Sequence, residues 1–332
     1  MEKIYIMGMS SFNMYEETNP PDIEEAVVRS VVESCFPELN DPRLKFHYHG
    51  TYNVYLVEDK YLFRFPSTII PIEEQRRLIR RETLLLKNIR NHLTFEIPSP
   101  EFIDANSNTP FMGYQMIQGE SLSRHFDSTS PVQKTILGNQ VGEFLSQLHA
   151  IDGSTLGIGD DGFYDPKESY REIQVVFSKI QELIIPEVSK NEREWIEKLF
   201  HEFLDIDENF DFKPVLIHGD FDTSNILVNF ETMQVTGIID FEETRVYDPA
   251  IDFIFLSEGV EFLTSILDSY SGMIDPQLGE RVIFRNGRQP FFYILWGLEH
   301  ELTPMVDFGY SFLKETIAQW EYYVRVAKQC FK

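Results

Sequence analysis

The chain has 332 residues, with 54 acidic side chains against 29 basic ones, a formal charge of −25, and 42% apolar and 14% aromatic residues. That apolar content excludes general disorder, and the length suits two lobes around a sizeable core. The charge argues against nucleic acid or an anionic membrane as a partner, since both are bound through Lys and Arg. A cationic small molecule or a metal-bound ligand suits such a surface better.

Cys35 and Cys330 lie near opposite ends and form neither a zinc spacing nor a disulfide framework, which points to a reducing compartment. The start MEKIYIMGMS lacks the layout of a signal peptide, and no stretch approaches the length of a membrane helix. A cytoplasmic protein is expected.

In chain order, residues 1–21 read as a loosely held arm. Asp22 is placed to cap a helix carrying Ile23, Ala26, Val27, Val31 and Val32, which Pro37 stops. Lys45–His49, Asn53–Val57 and Tyr61–Phe65 are short runs rich in Tyr, Phe, Val and Leu, separated by turn residues; they predict an antiparallel meander. A charged helix follows over about 72–91, then a strand over 111–117, and Gln118-Gly119-Glu120-Ser121 reads as a connector. Beyond it helices dominate: one over 132–148 by its apolar spacing, then 168–185, 192–204 and most of 276–332. The exception is 215–239, where short β-like runs flank polar loops. This predicts an α+β fold with a small β-rich N-lobe (22–117), a larger helical C-lobe (118–332) and a ligand cleft between them.

The chemistry is concentrated in Val215-Leu-Ile-His218-Gly-Asp220-Phe-Asp-Thr-Ser-Asn225-Ile-Leu-Val228. An apolar run enters, a polar loop presents His, Asp and Asn, and another apolar run leaves. Fifteen residues after Asn225, Gly237-Ile-Ile239 delivers a second carboxylate, Asp240. Phosphoryl transfer needs a carboxylate to orient and deprotonate the attacking hydroxyl, and oxygen ligands for magnesium between the phosphates. An Asp and an Asn on one loop with an Asp on the next turn supply those groups.

The pattern His218-Gly-Asp220-Phe-x-x-x-Asn225 followed by Ile239-Asp240-Phe241 resembles the aminoglycoside phosphotransferase and choline kinase branch of the protein-kinase-like fold. Tyr247-Asp248-Pro249-Ala-Ile-Asp252-Phe253 is similar to that family's Asp-Pro-x-x-Asp signature. The resemblance implies a magnesium-dependent kinase using ATP or GTP. Asp220 would be the catalytic base, Asn225 and Asp240 the magnesium ligands, and His218 and Asp252 structural braces of the loop.

For the nucleotide, the resemblance calls for a strand cation paired with a helix Glu. The strand position where the family usually carries Lys holds Arg64 here, which can still grip phosphate with two donors. Glu82 is the partner candidate. Gly50 and Thr51 lie in the turn that would cover the phosphates, and Met116 and Ile117 in the segment resembling the interlobe hinge. On the acceptor side, Glu242, Glu243, Trp296, Glu299 and Glu301 could clasp an ammonium-rich sugar through charge and ring-face contacts. The order Phe292-x-Ile294-x-Trp296-Gly297 is similar to the tail of aminoglycoside 2''-phosphotransferases, which makes an aminoglycoside the favoured acceptor. The alternatives are a metabolic kinase for choline, fructosamine or another small alcohol, and a catalytically inactive kinase-like binding protein.

Overall fold

The computed structural model describes residues 20–39, 41–157 and 165–331; most of the expected N-terminal arm lies outside them. Helix α1 (Glu25–Cys35) precedes strands β1 (Leu44–His49), β2 (Tyr52–Val57) and β3 (Tyr61–Pro66). Helix α2 (Ile72–Ile89) and strands β4 (Phe102–Asp104) and β5 (Phe111–Gln115) follow. The sheet has the order β1-β2-β3-β5-β4, every neighbouring pair antiparallel.

Its central strands lack the alternation of a one-sided sheet because both faces are covered. On one face Val28 and Val32 of α1, with Phe36 just after it, pack against Tyr55, Val57, Phe63, Phe65 and Phe111. On the other, Tyr52, Val54 and Met112 meet Ile79 of α2. Arg64 pairs across Val54 and Met112 and so belongs to the α2 face, between two phenylalanines that point the other way.

Asp22 does not cap α1. Glu24 holds the cap position without a side-chain hydrogen bond, while the Asp22 carboxylate accepts from Asn53 Nδ2, Ser67 Oγ and the Thr68 N–H. The carboxylate found more donors on the sheet than a helix start offers, so it fastens the entry of α1 to the β3 end.

The remainder is mainly helical. Strand β6 (Glu120–Ser121) leads into the short α3 (Leu122–His125) and then α4 (Pro131–His149), α5 (Pro166–Leu183) and α6 (Lys190–Leu204). Strands β7 (Val215–Ile217), β8 (Ile226–Asn229), β9 (Gln234–Ile238) and β10 (Arg245–Tyr247) form two small sheets, β6-β8-β9 and β7-β10. Helices α7 (Val260–Ser269), α8 (Leu278–Glu299) and α9 (Thr303–Cys330) complete the chain. Ser130 and Ser189 close capping boxes on α4 and α6 with Gln133 and Glu192.

One core runs from Leu85, Leu86 and Ile89 of α2 through α4 to the loops after β7 and β9 and on to α7–α9. A second joins α5, α6, α8 and α9, with Phe203 and Phe284 stacked at 3.6 Å. The β-rich N-terminal and helical C-terminal expectation is met. Strand β4, strand β10 and helix α7 were not anticipated. The first two span three residues each, too short to show a period. Among the described residues no helix is long and apolar enough to cross a membrane.

Candidate active site

The polar loop between β7 and β8 is held open by its neighbours. Asp252 sits in a 3-10 turn (Pro249–Phe253) with no exposed surface, and its carboxylate accepts the backbone N–H of His218 at 2.7 Å and of Gly219 at 3.0 Å. The His149 ring, itself bonded to the Tyr270 hydroxyl at 2.8 Å, lies 3.0 Å from the same carboxylate. Three donors make burial of this charge tolerable. His218 is fully buried, its Nε2 2.9 Å from the Ile239 carbonyl; burial pushes its pKa down, so the ring is neutral and donates there.

Gly219 has φ +94°, and a Cβ there would stand 2.5 Å from the Glu243 carbonyl oxygen. Only glycine allows the two loops to touch at this point. Asp220 follows, exposed to solvent. Asn225 is buried and its Nδ2 donates to the Asp220 carbonyl at 2.8 Å; its Oδ1 is the acceptor end of the amide. Asp240 holds a left-handed backbone with φ 69°, an uncommon conformation for a non-glycine residue and one that concentrates at functional sites.

From the N-terminal sheet, Arg64 reaches this loop. It is 3% exposed; Nη1 donates to Glu82 Oε1 at 2.5 Å, and Nη2 lies 3.1 Å from Glu242 Oε2 and 3.4 Å from Asp240 Oδ1. Its guanidinium stacks 4.0 Å from the centre of the Tyr52 ring, whose hydroxyl donates to Glu82 at 2.9 Å. Burial opposes the charge on Arg64, but the carboxylates, Glu82 foremost, hold its pKa well above the usual range. Glu82 lies within the buried stripe Ile79, Glu82, Leu85, Leu86, Ile89 of α2; burial raises its pKa, and Arg64 offsets part of that.

A family model described as APH, the phosphotransferase enzyme family, matches residues 43–278. The chain belongs to the phosphotransferase enzyme family. It is therefore a phosphotransferase that uses an alcohol group as acceptor. Among solved structures, this phosphotransferase is similar to the GDP and kanamycin complex of APH(2")-IIia, with 22% identity, a TM-score of 0.78, and 87% of this chain and 98% of that one covered. The macrolide 2'-phosphotransferase MphH from Brachybacterium faecium aligns at 18% identity and TM-score 0.68 over 86% of this chain and 96% of its own. An ethanolamine kinase from Plasmodium vivax aligns at 15% identity and TM-score 0.61, covering 92% of each chain. These likenesses show the kinase-like two-part fold.

Among the described residues of this phosphotransferase, no group of three or more His, Cys, Asp or Glu side chains is arranged to hold a metal. The expected set is smaller: one carboxamide oxygen from Asn225 and one carboxylate from Asp240. Two hard oxygen donors fit magnesium, which keeps most of its sphere for water and phosphate.

Glu242, expected on the acceptor side, turns to Arg64 instead, because the buried guanidinium offers a stronger partner than solvent; burial and the neighbouring Asp240 push its pKa well up. Glu243 stays exposed, 3.1 Å from Arg245 Nη1. Trp296 is 55% exposed and stacks on His300 at 4.0 Å, with Glu299 and Glu301 exposed beside it. At the hinge, the Met116 N–H is engaged by the Lys60 carbonyl at 2.8 Å, and the Ile117 side chain packs against Gly237. Gly50 and Thr51 form the β1–β2 turn, where the Thr51 carbonyl accepts from the Ser67 N–H at 2.8 Å.

Sequence reasoning overlooked Arg81, whose guanidinium donates to the carbonyls of Glu242 and Thr244, and Thr244, whose hydroxyl bonds the His218 carbonyl at 3.1 Å. It also overlooked His149, which reads in sequence as the last residue of an amphipathic helix. A polar residue that closes the apolar face of α4 was the one available signal.

Proposed function

We propose that this phosphotransferase is a small-molecule kinase that moves the γ-phosphate of ATP or GTP onto a hydroxyl of a small cationic acceptor, with an aminoglycoside as the first candidate. The observation that carries this reading is the approach of Arg64, from the N-terminal sheet, to Asp240, from the loop after β9, at 3.4 Å. It places the phosphate-binding candidate beside the metal-ligand candidate.

In this reading Asp220 accepts the acceptor's hydroxyl proton, the oxygen attacks the γ-phosphorus, and the bond to the bridging oxygen breaks to release the nucleoside diphosphate. Exposure of Asp220 suits a base that must meet an incoming molecule. The Asn225 Nδ2 bond to the Asp220 carbonyl fixes the base relative to the metal ligands. Asn225 and Asp240 would hold magnesium, which would supply positive charge against the phosphates. Arg64 offers two donors to a phosphate oxygen once it gives up Glu242, while Glu82 keeps it aimed. Because the Met116 N–H is taken, purine contacts at the hinge fall to the Met116 carbonyl or the Ile117 backbone.

The preference for a cationic acceptor is supported by the net charge of −25 and by Trp296, Glu299 and Glu301 at the exposed end of α8. It is supported too by the kanamycin bound in one relative, although a macrolide and ethanolamine serve others. A coupled nucleotide-turnover screen across aminoglycosides, macrolides, choline, ethanolamine and amino sugars, run with ATP and GTP in parallel, tests it. Turnover is expected with at least one aminoglycoside. Turnover confined to another class overturns the acceptor, and magnesium-dependent nucleotide binding with no turnover overturns the kinase reading.

A further inference from the structure

This strongly acidic chain gathers positive charge in one place. Helix α8 carries Arg281, Arg285 and Arg288 at spacings of four and three, so they share a face. Arg281 is neutralised by Asp248 at 3.0 Å and Asp275 at 2.7 Å, and Arg285 shares the same Asp248 at 3.3 Å. One carboxylate thus serves two buried guanidiniums. Arg285 is 2% exposed, and its Nε and Nη1 have no hydrogen-bond partner.

One turn on, Arg288 makes no ion pair or hydrogen bond among the described residues; its guanidinium lies 4.8 Å from the Phe292 ring centre and 6.0 Å from that of Phe284. Arg245 joins from β10, and Arg245 and Arg285 both approach the Tyr247 ring, at 5.1 and 5.3 Å. Burial, followed by the charges of Arg285 and Arg245, pushes Arg288 well below the ordinary arginine range. Since arginine does not deprotonate in proteins, that shift reports a positive charge that Tyr247 and Asp248 nearby offset only in part.

The cluster adjoins the catalytic loop. Arg245 pairs with Ile217, the residue before His218, and its partner Glu243 touches Gly219. We propose that Arg288, with Arg285 and Arg245, forms a binding subsite for an oxyanion, a carboxylate or phosphate group, beside the catalytic loop. Guanidinium groups hold such groups through paired planar donors, and Arg288 is half-buried while Arg285 beneath it keeps unpartnered donors. The oxyanion is either a substituent of the acceptor or a free anion bound next to it. The first case rests on the proposed kinase function; the existence of the subsite does not.

The test is calorimetric titration of the full-length protein with inorganic phosphate and with acetate. Mg·ADP is kept saturating so that the nucleotide site is filled, and chloride holds the ionic strength constant. Saturable binding is expected in the wild type, at least tenfold weaker in Arg288→Ala and partly restored in Arg288→Lys. Arg288→Met replaces the alanine variant should the latter fail to fold. Absence of saturable binding in the wild type, or equal binding by the variants, overturns the subsite. Paired hydroxyl acceptors differing only in carboxylate against carboxamide then separate the sources. A tenfold kcat/KM preference for the carboxylate member, lost in Arg288→Ala, assigns the anion to the acceptor. Equal turnover of both members, with phosphate still bound, assigns it to a free anion. Phosphate binding without turnover of any acceptor upholds the subsite and counts against the kinase reading instead.

Discussion

The carboxylate of Asp252 receives the backbone N–H of His218 at 2.7 Å, across 34 positions of sequence. That bond, with its companion from Gly219 at 3.0 Å, sets the conformation in which the next residue, Asp220, emerges into solvent. The loop is shaped from behind, by a group that never reaches solvent.

Replacing Asp252 by Asn keeps the shape but turns one acceptor oxygen into a donor facing N–H groups. A loss of about 2 kcal/mol in stability is expected from the unsatisfied buried pair. Turnover should fall at least about tenfold through displacement of Asp220. Urea denaturation and steady-state kinetics check both. Unchanged kcat in a destabilised variant would detach loop shape from catalysis.

Asp220→Asn replaces the exposed candidate base by an amide of the same shape. Turnover is expected to drop by about 10²- to 10⁴-fold, the usual contribution of a positioned base. Melting temperature and nucleotide affinity should stay near wild type. Near-wild-type turnover would remove Asp220 from its role.

The Arg64–Glu82 pair is almost fully buried, with side-chain exposures of 4% and 2%. Glu82→Ala leaves a buried guanidinium short of its nearest counter-ion and is expected to cost about 3 kcal/mol. Arg64→Ala is expected to weaken nucleotide binding as well, because three carboxylates then face the phosphates without a cation. Chemical denaturation and nucleotide titration separate the two effects; intact nucleotide affinity in Arg64→Ala would exclude phosphate binding by this residue.

Glu258 provides a pH test away from the metal-ligand candidates. Burial, with Asp222 nearby, raises its carboxyl to about 7. A raised folded-state pKa means that the native state holds a proton the unfolded chain gives up. The associated stability is therefore complete below about pH 4.5 and lost as pH rises through 7. Because the residue is only half-buried, the loss should be on the order of 1 kcal/mol. Urea midpoints at pH 5 and pH 8 should differ less in Glu258→Gln than in the wild type. Equal slopes would show that Glu258 does not titrate in this window.

The sequence alone determined what depends on short range. Helices α4, α5, α6, α8 and α9 follow from apolar spacing, the meander from β-branched and aromatic runs, and the family from His218-Gly-Asp220, Asn225 and Asp240, which lie within one segment of 23 residues. Arg64 and Glu82 were readable as a candidate pair because the family resemblance calls for a strand cation and a helix Glu at those places. Tertiary structure alone decided which partner each charge takes. Glu242 turns to Arg64 because β3 and the loop after β9 meet in space; Asp22 binds the sheet because Asn53, Ser67 and Thr68 surround it. The arginine cluster of α8 becomes visible only when β10 lies against it and one Asp248 is seen to serve two guanidiniums. Periodicity records which face a side chain occupies, but ion pairs and hydrogen bonds fall off within a few ångströms, and only the packed chain brings distant residues that close.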